Sequence, residues 1–80
     1  MHFIYLLRCS DQTIYCGYTT DIDRRVGEHN EGKLGAHYTK TRRPVELIYS
    51  EKFNSKREAL QREIEIKKMT RQKKLELIGE

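Results

Sequence analysis

Three turn-forming residues, Ser10-Asp11-Gln12, separate two β-rich runs, Phe3 to Cys9 and Thr13 to Tyr18, and strands joined by so short a connection must pair antiparallel. Loop length also decides the register. A three-residue loop sets Cys9 opposite Thr13, Leu7 opposite Tyr15 and Tyr5 opposite Gly17. Tyr5 and Tyr15 then share a sheet face, with Gly17 leaving room above the strand, whereas a loop of two or four residues splits them. After the hairpin, Thr20 and Asp23 resemble a capping box and Gly32 is a stop, which predicts a helix from Asp21 to Glu31. A basic loop containing Gly35 and Pro44 leads to a third strand, Val45 to Phe53. Ser55 and Glu58 make a second capping-box pattern before a helix running to about Met69, and Thr70 caps a last short helix through Ile78. The order β-β-α-β-α-α predicts an α+β fold, a small three-stranded antiparallel sheet flanked by helices. No repeat, low-complexity stretch or linker interrupts it, so residues 1–80 are expected to form a single domain.

A chain of 80 residues hides only about 60% of its unfolded surface, so the core is thin. Cysteine supplies no staple: Cys9 and Cys16 stand in no zinc or CxxC spacing, which points to a reducing compartment without a disulfide partner. No apolar run reaches the roughly 20 residues of a membrane span, and no secretory leader is visible. The expectation is a cytoplasmic monomer. The formal net charge is +4, and its distribution says more than its size. Lys33, Lys40, Arg42 and Arg43 fall in a stretch without an acid, and so do Lys67, Lys68, Arg71, Lys73 and Lys74. Both runs suit phosphates; solvated loops and helix faces account for them equally well.

On the first predicted helix, with Ile22 at 0°, Val26 falls at about 40°, His29 at about −20°, Arg25 at about −60° and Arg24 at about 200°. Arg25 and His29 therefore flank the apolar stripe as i,i+4 neighbours, and Arg24 points to water. Two readings fit. Either these side chains present their heads to one patch of space, or Arg25 lays its stem over the core edge while His29 favours the helix C-terminal dipole. On the second long helix, with Ala59 at 0°, Ile66 lies at about −20°, Leu60 at about 100° and Ile64 at about 140°, and Glu63 at about 40° stands within this arc. Glu58 and Glu65 lie on the other side. An inward carboxylate is costly unless paired or bound to metal. Glu63 is thus either a functional acid or the partner of Lys67, four residues on.

The segments Phe3-Ile4-Tyr5, Tyr15-Cys16-Gly17-Tyr18-Thr19, Asp21-Ile22-Asp23-Arg24-Arg25 with His29-Asn30, and Ala59-Leu60-Gln61-Arg62-Glu63 together resemble the GIY-YIG nuclease domain, in particular its small stand-alone bacterial members. Phe3 stands where the first motif has Gly, and Cys16 where the second has Ile. The resemblance implies that Tyr5 and Tyr15 are the motif tyrosines, Arg25 the helix arginine, His29 the position carrying His or Tyr, and Glu63 the metal-binding glutamate. It also implies hydrolysis of phosphodiester bonds in nucleic acid, expected to be DNA, with Mg²⁺ or Mn²⁺ on Glu63, Arg25 on the phosphate oxygens and the two tyrosines and His29 around the proton transfers. Lys33, Lys40, Arg42, Arg43 and Lys67 are the candidate nucleic-acid contacts. The alternative is a module that keeps the fold and the basic surface, binds nucleic acid and cleaves nothing.

Overall fold

The computed structural model describes residues 1–32 and 37–79. Strands β1 (His2–Arg8) and β2 (Ile14–Thr19) form the hairpin, and β3 (Glu46–Phe53) pairs with the other side of β1. Both pairings are antiparallel and the strand order is β2-β1-β3. The loop has three residues. Cys9 N–H donates to Thr13 O at 2.9 Å, and Gln12 closes the turn at φ +70, in the left-handed region. Tyr5 accordingly faces Gly17 and Leu7 faces Tyr15, which puts the two tyrosines on one side of the sheet.

Helices cover both faces, so β1 is buried front and back. On one face Ile4, Leu6 and Cys16 pack against Ala59 and Ile66 of α3 (Lys56–Lys67), with Leu77 of α4 (Arg71–Leu77) at the margin. Cys16, which replaces the isoleucine of the motif, is an apolar filler there. On the other face Tyr5, Leu7, Cys9 and Val45 form a second cluster, closed by Tyr15, Val26 and Tyr38. Both cysteines are buried and free. Among the described residues no helix is long and apolar enough to cross a membrane.

The caps agree with the sequence at two helices and differ at one. Ser55 accepts from Glu58 N–H and Thr70 from Lys73 N–H, as expected. At α1 (Ile22–Asn30) the cap is Asp21, whose carboxylate accepts from Arg24 N–H at 3.1 Å, and not Thr20. Both residues are able to cap; Thr19 selects Asp21, because its hydroxyl accepts from Asp21 N–H at 3.1 Å and fixes the entry to the helix. The segment read as a loop before β3 contains a short helix, α2 (His37–Lys40). Ile64 is 53% exposed and lies outside the buried face of α3, which is narrower than the arc from −20° to 140° suggested.

Two side chains fasten the end of α1 to the start of β3. The Asn30 carboxamide acts as a strand partner for Val45, donating to its carbonyl at 3.0 Å and accepting from its N–H at 2.7 Å. Arg43 donates to the His29, Gly32 and Glu28 carbonyls, at 2.5, 2.6 and 3.3 Å, and so satisfies acceptors that a helix end leaves open.

Candidate active site

Four of the five candidate catalytic side chains meet on the Tyr5 face of the sheet. Tyr5 crosses over Gly17 toward β2, so closely that a Cβ at Gly17 would stand 2.4 Å from the phenol oxygen and 2.5 Å from Cζ. Glycine is required there by contact, as backbone angles do not demand it. Gly17→Ala is expected to push the phenol off its partners and to cost about 1–3 kcal/mol, a fall in Tm on the order of 5–15 °C by thermal melting.

The Tyr5 phenol oxygen is 2.7 Å from His29 Nε2, and the Arg25 guanidinium lies close enough to draw the phenol's pKa down. Arg25 also donates to Glu28 Oε1 at 2.8 Å, with 24% of its own side chain exposed. Tyr15 lies alongside, its ring centroid 5.3 Å from His29 and 6.5 Å from Tyr5. Arg24, next in sequence to Arg25, is exposed. Arg24 and Arg25 thus differ in exposure in the sense that helical periodicity predicts.

Burial, reinforced by the nearby Tyr15 and Glu63, pushes the Tyr5 pKa up to about 12 against the opposing pull of Arg25, so the phenol is neutral at pH 7. Burial and the Arg25 charge push His29 down to about 4. His29 is fully buried and neutral, which corrects the reading of it as a helix-end cation: the C-terminal dipole does not offset the loss of water. Its second nitrogen, Nδ1, is 2.7 Å from Thr39 Oγ1, a buried contact across ten residues that no periodicity announces.

Glu63 approaches from α3. Its side chain is 16% exposed, its charge reaches both Tyr5 and Cys16, and its Oε2 lies 3.1 Å from Lys67 Nζ. The ion pair raised by the sequence is thus present. Among the described residues no three His, Cys, Asp or Glu side chains cluster to hold a metal by themselves. On α3, Arg62 clamps Glu51 of β3 with Nε and Nη2 at 2.9 and 3.1 Å, which fixes the helix that carries Glu63.

The basic candidates have varied surroundings. Lys40 is exposed on α2, and Lys67 is 52% exposed beside Glu63. Arg42 donates to Asp11 Oδ2 and the Tyr38 carbonyl, each at 2.9 Å, and lies 3.9 Å over the Tyr38 ring, which in turn stacks on Tyr15. The donors of Arg43 are engaged at the end of α1. Lys33 lies outside the described residues.

This sheet, of order β2-β1-β3, with its flanking helices lies within a match to the GIY-YIG catalytic domain over residues 1–76. The chain belongs to the GIY-YIG family. It is 54% identical over 79 residues to a UPF0213 protein of Staphylococcus haemolyticus and 57% identical over 79 residues to one of Staphylococcus aureus, covering 99% of this chain and 95% of the relative in both cases. Among solved structures it is similar to the solution NMR structure of a UPF0213 protein from Bacillus halodurans, with 46% identity and a TM-score of 0.64 over 98% of this chain and 82% of that one. It is also similar to an NMR structure of an E. faecalis protein, with 43% identity and a TM-score of 0.66 over 96% and 81%.

Proposed function

We propose that this chain is a divalent-metal-dependent nuclease that hydrolyses phosphodiester bonds in DNA. The observation that carries the reading is the convergence of Tyr5, Tyr15, Arg25 and His29 around one phenol oxygen, with the Glu63 carboxylate within electrostatic reach. Hydrolysis of a phosphodiester needs an activated water, stabilisation of charge on the phosphorus oxygens and help for the leaving oxygen. Arg25 is suited to the second task, because Glu28 holds its guanidinium at 2.8 Å and part of its surface stays open. Tyr15 is the less buried phenol and is the one a substrate arriving from solvent meets; Tyr5 is only 1% exposed.

The residues present fit a hard divalent cation. Magnesium sites built around phosphates commonly take one or two carboxylates and complete the shell with water and substrate oxygens. Glu63 offers one such carboxylate, and the Lys67 ammonium beside it is a cationic stand-in on a long, exposed stem. Bound there, Mg²⁺ or Mn²⁺ would supply Lewis-acid polarisation of the phosphate. Lys67 then becomes free to meet a phosphate oxygen itself.

The test is incubation of the pure chain with end-labelled linear and branched DNAs in Mg²⁺, Mn²⁺ or chelator. Product in either ion and none in chelator is the expected result. Salt-sensitive DNA binding with no product under any ion would replace the nuclease by a binding module of the same fold.

A further inference from the structure

Thr39 on α2 is fully buried and plays no part in the chemistry outlined above, yet its Oγ1 lies 2.7 Å from His29 Nδ1 while His29 Nε2 lies 2.7 Å from the Tyr5 phenol. A neutral imidazole has one N–H and one lone pair, so the two contacts run in opposite senses at the ring. Tyr5 decides which. A phenol this buried must find an acceptor for its proton, and among the described residues its hydrogen-bond partner is His29 Nε2. The proton goes to Nε2. The ring N–H then sits on Nδ1 and donates to Thr39 Oγ1.

We propose that Thr39 is a positioning residue that fixes His29 as the Nδ1–H tautomer and thereby orients the Tyr5 phenol beside the Arg25 guanidinium. The opposite tautomer would set an Nε2–H against the phenol oxygen and leave the phenol proton without its partner. The low proton affinity of His29 keeps the ring neutral at pH 7, so the tautomer is the relevant variable. The geometry of the contact stands by itself; its effect on rate rests on the nuclease reading.

The experiment is long-range ¹H–¹⁵N correlation of the His29 ring in the labelled parent, Thr39→Val and Thr39→Ser, with DNA cleavage measured on the same samples. The parent is expected to carry its ring proton on Nδ1. Thr39→Val, which keeps the shape and loses the hydroxyl, should populate Nε2–H and cut on the order of 10-fold more slowly or worse, and Thr39→Ser should restore both to within about threefold. An Nε2–H parent, or a Thr39→Val variant with tautomer and rate unchanged, overturns the proposal. Should Thr39→Val not fold, the parent tautomer and that of Thr39→Ser decide, since Nε2–H in either one counts against it. A chain that cleaves no DNA yet shows Nδ1–H in the parent and Nε2–H in Thr39→Val upholds the Thr39 contact and removes only the nuclease.

Discussion

Glu63→Ala is expected to reduce metal-dependent cleavage on the order of 10³-fold or more while leaving DNA affinity, measured without divalent ions at fixed salt, within about threefold of the parent. The substitution should not unfold the chain. Among the described residues the direct partner of the carboxylate is Lys67, and an i,i+4 pair of that kind contributes about 0.3–0.5 kcal/mol. Lys67→Ala is the control that separates the two readings of Glu63. If the acid serves only the ion pair, both variants change together and slightly. If it holds a cation, Glu63→Ala loses catalysis and Lys67→Ala mainly weakens binding. Gel assays of labelled product, with fluorescence anisotropy for affinity, distinguish them; a Glu63→Ala variant that cuts like the parent removes the metal from this site.

Arg25→Lys should cost on the order of 10²-fold in rate, and Arg24→Lys no more than about twofold. The difference follows from geometry. Arg25 donates to the Glu28 carboxylate with one planar group that keeps further donors for a phosphate fork, and a lysine ammonium does not reproduce that geometry. Arg24 faces water one position away on the same helix. Rates for the two variants at saturating DNA, with circular dichroism to verify the helix, give the comparison. Equal losses would mean that total charge on α1 matters and its placement does not.

Much of the arrangement is readable from local rules. The turn chemistry of Ser10-Asp11-Gln12 fixes the register that sets Tyr5 over Gly17, and helical periodicity alone turns Arg25 inward and Arg24 outward. What local rules miss depends on contacts across the chain. Thr39 meets His29 only because α2 folds back onto α1, and nothing in its neighbours' pattern marks it as buried. Arg42 and Arg43 read as phosphate contacts because their stretch holds no acid. Their guanidinium groups also have the Asp11 carboxylate and the carbonyls at the end of α1 within reach, and sequence gives no measure of that distance. Ile64 was assigned to the buried arc of α3 for its hydrophobicity, but the sheet is too small to cover 160° of helix surface.

Tyr5 and Tyr15 are carried by a hairpin whose first strand is laced to neighbours along both margins, whereas Arg25 and His29 ride on a helix tethered by Asn30, Arg43 and the histidine itself. The two halves of the constellation therefore differ in stiffness. In rising urea the helical half should let go first, so that catalytic competence fades at concentrations where the β-sheet spectrum is still intact.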